Sequence, residues 1–227
     1  MEGKPADKGD GTTDGQTASD DVLGTSAAVR DYFGASYDSV AHFRERLRTE
    51  GELRGLIGPR EVSRLWERHV LNSAALVPYV SDAHSIADVG SGAGLPGIVV
   101  AIMRPQAEVT LIEPMERRTT WLGEIVADLE LENVVIRRGR AEEFHDAIEV
   151  DVATSRAVAA LAKLARMSLP LVRRGGEMVV LKGRNVAQEI DPARKVLRSF
   201  NAAEPEILEG RTVPGVEDTT IVRIRRG

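Results

Sequence analysis

The stretch Ile86-Ala87-Asp88-Val89-Gly90-Ser91-Gly92-Ala93-Gly94-Leu95-Pro96-Gly97 constrains this chain more than any other. A short apolar run of this kind reads as a buried parallel strand. The glycines behind it permit a tight turn and a close backbone approach to a ligand, at an entropic cost that a bare connection would not justify. Pro96 suits the first turn of a following helix, where a missing N–H costs nothing. Strand, glycine loop and helix N-terminus together predict a nucleotide-cofactor site in an α/β protein.

Spacing narrows the cofactor. A dinucleotide fingerprint needs a third glycine at the sixth position, which here is Leu95. Gly90, Gly92 and Gly94 give G-x-G-x-G instead, opened by the acidic Asp88. That pattern resembles the loop of S-adenosylmethionine-dependent methyltransferases, which wraps the methionine end of the cofactor.

The elements alternate around this loop. Residues 22–80 read as helical, with Val29, Tyr32 and Phe33, then Val40, Phe43 and Leu47, then Val62, Leu65, Trp66, His69 and Val70 at helical spacing, interrupted at Gly55 and Gly58-Pro59. After the loop, a helix ends before Pro105. Strands are predicted at Val109–Glu113, Val134–Ile136, Val150–Thr154, Met178–Leu181, Pro205–Leu208 and Thr220–Ile224. Between them lie helices marked by Leu122, Ile125, Val126 and Leu129, by Val158, Leu161, Ala165 and Leu169, and by the span Ala187–Phe200. Alternation of this kind implies a parallel sheet with helices on both faces. The expected organisation is an acidic, disordered tail over 1–20, a helical extension over 21–80 and a Rossmann-like domain over 81–227.

Ligands bind outside the C-terminal ends of parallel strands, which gives four further positions a role. Glu113 ends the second strand, where a carboxylate can accept both ribose hydroxyls; the alternative is a helix N-terminal charge. Ala141 and Glu142, behind Arg140, follow the third strand, where backbone groups can read an adenine edge. Ser155-Arg156-Ala157 follows the fourth strand, beside the expected exit of the methyl group, and Lys182-Gly183 follows the fifth.

Charge and composition limit the function classes. The tail through Asp21 carries six acids against two lysines, most of the net −5, so the body is nearly neutral. Arginine pairs at 117–118, 137–138, 173–174 and 225–226 permit a phosphate-binding face without requiring one. The absence of cysteine excludes disulfides, thiolate zinc sites, iron–sulfur radical chemistry and a cysteine nucleophile. No apolar stretch approaches a membrane span and no signal peptide opens the sequence, so the expected location is the cytoplasm, with no membrane partner. The few aromatic residues argue against a stacking platform for single-stranded RNA. Trp66 and Trp121 fall on apolar helical faces and read as core. His69 reads equally as a packed core histidine and as a site residue, and no metal role is suggested for it.

The loop Asp88–Gly97, Arg140-Ala141-Glu142-Glu143-Phe144, Ser155-Arg156-Ala157, Leu181-Lys182-Gly183 and Arg68-His69 within Trp66–Ser73 together resemble one family. It is that of the bacterial 16S ribosomal RNA guanine-N7 methyltransferases, also called RsmG or glucose-inhibited division protein B. The resemblance covers about Val29 to the C-terminus, with Asn72 standing where many members carry Asp. It implies a class I methyltransferase fold with a seven-stranded, mostly parallel sheet and an N-terminal helical extension. It implies S-adenosylmethionine as cofactor, contacted at Gly90, Leu95, Ala141, Glu142 and Arg156. The partner it implies is 16S ribosomal RNA or the small ribosomal subunit, with a guanine in the decoding-centre loop as target and low-level streptomycin resistance on loss.

The chemistry is consistent with what is missing. Enzymes that methylate exocyclic amines usually carry Asn/Asp-Pro-Pro-aromatic after the fourth strand, where this chain has Ser155-Arg156-Ala157. Guanine N7 already presents a lone pair, so positioning rather than a general base should dominate. Arg156 is expected to orient the cofactor and the guanine, Lys182 and Arg68 are candidates for phosphate or guanine O6 contacts, and His69 is a further catalytic candidate. Two alternatives remain open: a methyltransferase acting on a small molecule or protein, and a non-catalytic cofactor-binding assembly protein.

Overall fold

The computed structural model of the protein describes residues 19–227; all but the last two residues of the tail expected over 1–20 lie outside the described residues. Ser19 and Asp20, assigned to the tail by composition, instead belong to a helical segment over 19–25, and Asp20 is buried.

The extension follows the apolar spacing. Helix α1 (Ala27–Phe33) is capped by Ser26, whose hydroxyl accepts the Val29 N–H. Helix α2 (Tyr37–Glu50) buries Tyr37, Val40, Phe43 and Leu47, one stripe at three- and four-residue intervals. The chain then turns through residues 51–58. It re-enters as a tight 3-10 segment, Pro59–Arg64, and widens into a π-helical segment, Trp66–Leu71. Trp66 stacks on Tyr37 at 6.1 Å between ring centroids.

The sheet has seven strands: β1 (Ser85–Val89), β2 (Glu108–Glu113), β3 (Val134–Arg138), β4 (Val150–Thr154), β5 (Val172–Leu181), β6 (Glu206–Gly210) and β7 (Thr219–Arg225). Their order is β3-β2-β1-β4-β5-β7-β6. The first five run parallel, and β7 is antiparallel to both β5 and β6. The connecting helices are α3 (Gly97–Met103), α4 (Glu116–Asp128), α5 (Leu161–Ser168) and α6 (Ala187–Ser199).

Side chains alternate between the two faces of the sheet, as the period of a strand requires. On one face Ile86, Val109, Leu111, Val179, Leu181 and Ile221 pack against the extension, α3 and α4. On the other, Met178, Val180, Val222 and Ile224 pack against α5 and α6. The order in which the strands are added reverses between β1 and β4, and the crevice at their C-terminal ends is where an open α/β sheet binds its ligand.

Three local expectations are corrected. The strand expected at Met178–Leu181 starts earlier, at Val172, so Gly175 and Gly176 lie inside β5, and the bend they allow coincides with a shift in the β4–β5 register. Helix α5 starts at Leu161, so Val158 is not on its buried face but 37% exposed beside the glycine loop. Pro96 caps α3 from outside rather than standing in its first turn.

Candidate active site

A cavity of about 590 Å³ opens at the C-terminal ends of β1, β2 and β3 and is roofed by the turn over 51–58. Its floor is the glycine loop. Gly90 has φ +75°, and a Cβ there would come within 2.7 Å of Val158, so the backbone itself forms the wall. The loop is tied down from behind, where the Trp121 indole N–H donates to the Ala93 carbonyl at 3.0 Å. Arg54 lies over the same indole and pairs with Glu50 and Glu124, which fixes the roof turn to α2 and α4.

Asp88 supports the loop without reaching the cavity. It is fully buried, and one oxygen accepts the Gly97 N–H at 3.0 Å. A Cβ on Gly97 would meet the Asp88 carboxylate at 2.5 Å, so the glycine is needed for that contact. Burial pushes the Asp88 carboxyl up to about 7. Gly94 likewise packs inward, toward Ile98, whereas Gly90, Gly92 and Leu95 line the cavity.

Glu113 sits at the end of β2 with one oxygen on the Gly92 N–H at 2.9 Å and the other on the Met115 N–H at 3.0 Å. Each oxygen keeps a second lone pair for a hydroxyl. Ala141 and Glu142 line the far end with Gly139 and Arg140. The turn there is held by Glu143, which accepts the Arg140 N–H at 2.8 Å. A glycine cradle, a carboxylate with spare acceptor capacity and a backbone slot fit the methionine, ribose and adenine parts of S-adenosylmethionine in that order.

A second cavity, of about 740 Å³, adjoins the first. The two share a wall of Glu61, His69, Arg156 and Ala157. The Arg156 guanidinium donates to the Arg68 carbonyl at 3.0 Å, to Asn72 Oδ1 at 3.4 Å and to His69 Nδ1 at 2.8 Å. Guanidinium only donates, so Nδ1 must accept and the His69 proton resides on Nε2, 2.8 Å from Glu61 Oε2. Burial, together with the Arg156 charge, lowers His69 to about 4 and keeps the ring neutral. Burial likewise lowers Arg156 to about 10, still charged at neutral pH. Asn72 donates onward to Thr219 Oγ1 at 2.9 Å, so its amide both accepts from Arg156 and donates. Ala157 holds φ +56°, a strained conformation for a residue with a side chain, where the two cavities meet.

Lys182 lines the second cavity but spends two donors, on the Ala159 carbonyl at 2.9 Å and on Glu189 at 2.7 Å. Arg68 is exposed there, and its guanidinium has no partner among the described residues. The structure thus brings His69, Arg68, Arg156 and Lys182 around one cavity and Gly90, Gly92, Leu95, Glu113, Ala141 and Glu142 around the other. Sequence reasoning missed Glu61 and the roof residues Leu56 and Ile57. Gly58-Pro59 marked the break before Glu61, but nothing local reveals that its carboxylate meets His69.

A family model described as rRNA small subunit methyltransferase G matches residues 36–211. The chain belongs to that family. It is 48% identical over 197 residues to the Ribosomal RNA small subunit methyltransferase G of Paenarthrobacter aurescens, covering 87% of this chain and 91% of the relative. The relative of the same name from Beutenbergia cavernae is 44% identical over 209 residues, covering 92% and 99%. Among solved structures, a SAM-dependent O-methyltransferase from Thermotoga maritima aligns with a TM-score of 0.53 at 18% identity, over 68% of this chain and 64% of that one. A precorrin-6y C5,15-methyltransferase from Geobacter metallireducens aligns with a TM-score of 0.53 at 13% identity, over 76% and 91%. Those two likenesses establish the class I methyltransferase fold, whereas family membership makes the chain an S-adenosylmethionine-dependent rRNA methyltransferase.

Proposed function

We propose that the protein methylates N7 of a guanine in the decoding-centre loop of 16S ribosomal RNA, with the small ribosomal subunit as partner and the cytoplasm as its place of action. The observation that supports this reading best is the wall shared by the two cavities. A cofactor held over the glycine loop and a base held in the second cavity meet across Arg156 and Ala157. When bound, S-adenosylmethionine supplies a methyl group on a sulfonium, open to in-line attack by a lone pair.

The chain's residues then position rather than exchange protons. Arg156 locks the Arg68–Asn72 segment to the end of β4 and so sets the width of the passage. Neutral His69 neither takes nor gives a proton at N7, which carries none. The third Lys182 donor is free for guanine O6, and Arg68 is placed to meet a phosphate. Gly90, Gly92 and Leu95 hold the methionine end, Glu113 the ribose, and Ala141 and Glu142 the adenine; Asp88 and Gly94 shape the loop from beneath.

The test compares 16S RNA from cells with and without the protein, using borohydride and aniline, which cleave at 7-methylguanosine. One cleavage that vanishes without the protein and returns with the wild type, but not with Gly90→Ala or Arg156→Ala, is the expected result. Identical patterns in both strains would remove guanine N7 of this RNA as the target.

A further inference from the structure

Transfer to guanine N7 moves a charge as well as a carbon. The N7 lone pair forms the new N–C bond while the electrons of the C–S bond return to sulfur. Sulfur becomes neutral, the purine becomes cationic, and no proton leaves. A fixed negative charge closer to the acceptor than to sulfur lowers the barrier, because it stabilises the positive charge more in the transition state than in the bound cofactor.

Four carboxylates line the second cavity: Glu61, Glu67, Glu217 and Asp218. Three of them are paired with arginine. Glu67 meets Arg64 at 2.8 Å, Glu217 meets Arg184, and Asp218 meets Arg211 at 3.3 Å. Glu61 has no arginine or lysine partner among the described residues, and of the four it alone also lines the cofactor cavity. On the cofactor side, Glu113 lies 3.8 Å from the Arg118 guanidinium, and Glu142 belongs to the opposite, adenine end.

The Glu61 side chain is 46% exposed, with Oε2 held by the His69 Nε2–H and Oε1 unbonded among the described residues. Arg156 enforces this orientation, since its donation to Nδ1 leaves His69 only Nε2–H to offer. The guanidinium itself points its donors into the helical wall, at Arg68, His69 and Asn72.

Resting on guanine N7 as the acceptor, we propose that Glu61 is a catalytic residue. Its carboxylate faces both the sulfonium and the attacked guanine across the junction of the two cavities and balances the positive charge as it passes from sulfur to purine. Glu61→Gln separates charge from shape, because the amide oxygen still accepts the His69 proton. Calorimetry without RNA measures the affinity of wild type and E61Q for S-adenosylmethionine, a cation at sulfur, and for S-adenosylhomocysteine, neutral at sulfur.

The expected result is a loss of about tenfold in the affinity ratio between the two, confined to the cationic ligand. Single-turnover methylation of small subunits at subsaturating S-adenosylmethionine should slow by more than that, because the transition state loses the charge as well as the bound cofactor. An unchanged ratio overturns the proposal, and so does an equal loss for both ligands, which marks a purely structural role. The ratio does not involve RNA. A wild type that binds both ligands yet leaves guanine N7 unmodified therefore overturns the substrate reading alone.

Discussion

Asp88 and His69 carry proton linkages of opposite sign. Burial raises the Asp88 carboxyl from 3.8 to about 7, so the folded state takes up its proton before the unfolded state does. That contribution makes the fold more stable as pH falls from about 7 toward 3.8. Burial lowers His69 from 6.5 to about 4, so its contribution is complete above 6.5 and is lost as pH falls to about 4. Each slope is limited to about 1.4 kcal/mol per pH unit, and over most of that window they offset one another. Asp88→Asn should therefore lose stability more steeply than wild type between pH 7 and 4, and His69→Gln less steeply. Denaturant midpoints across that range check this, and three parallel curves would refute both linkages. At this scale the sequence was half legible. The Gly-x-Gly-x-Gly spacing located the loop, and Asp88 stood out as its opening acid. Its inward orientation follows from the Gly97 contact, which involves a residue nine positions away and has no local signature.

The π-helical segment Trp66–Leu71 gives the element scale its sharpest case. A tight turn passing into a wide one leaves backbone N–H groups without helical partners. Asp20 supplies them: one oxygen accepts the Trp66 N–H at 3.0 Å and the other the Glu67 N–H at 3.1 Å. Buried Arg44 neutralises it at 3.3 Å and also pairs with Asp21. Asp20→Ala leaves two buried donors and part of a guanidinium unsatisfied, a cost of about 2–3 kcal/mol. Its thermal midpoint should fall, and kcat/KM on the ribosomal substrate should fall with it, because Arg68 and His69 ride on this segment. S-adenosylhomocysteine affinity should change far less, since Asp20 does not line the cofactor cavity. Apolar spacing marked Leu65, Trp66, His69 and Val70 as one face, and Trp66 and Trp121 are indeed buried. The wider pitch was not legible, because apolar spacing over so short a segment does not separate α from π geometry. Nor was Asp20, whose neighbours in the chain look like solvent-exposed tail. On the opposite side of the site, Trp121→Phe removes the bond to Ala93 and should cost about 1 kcal/mol and weaken cofactor binding, read by calorimetry.

For the whole molecule, apolar packing lies on both faces of the sheet, so a ligand clamped at the strand ends stabilises both faces together. Saturation with S-adenosylhomocysteine at a hundred times its Kd should add about 2.7 kcal/mol and raise the melting temperature. Gly90→Ala, which drives a Cβ into Val158, should abolish that shift. The parallel half of the sheet was legible from strand–helix alternation. The antiparallel half was not, because β6 and β7 carry no pattern that states their neighbours; the family resemblance alone implied a mixed sheet. That last pairing bears on synthesis. β5 joins β7 rather than β6, which comes earlier in the chain, and β6 has no other partner among the described strands. Thr219 and Thr220 of β7 also form part of the second cavity, and Thr219 anchors Asn72. A nascent chain whose residues 219–225 are still in the exit tunnel therefore has an open sheet edge and a second cavity that lacks part of its wall.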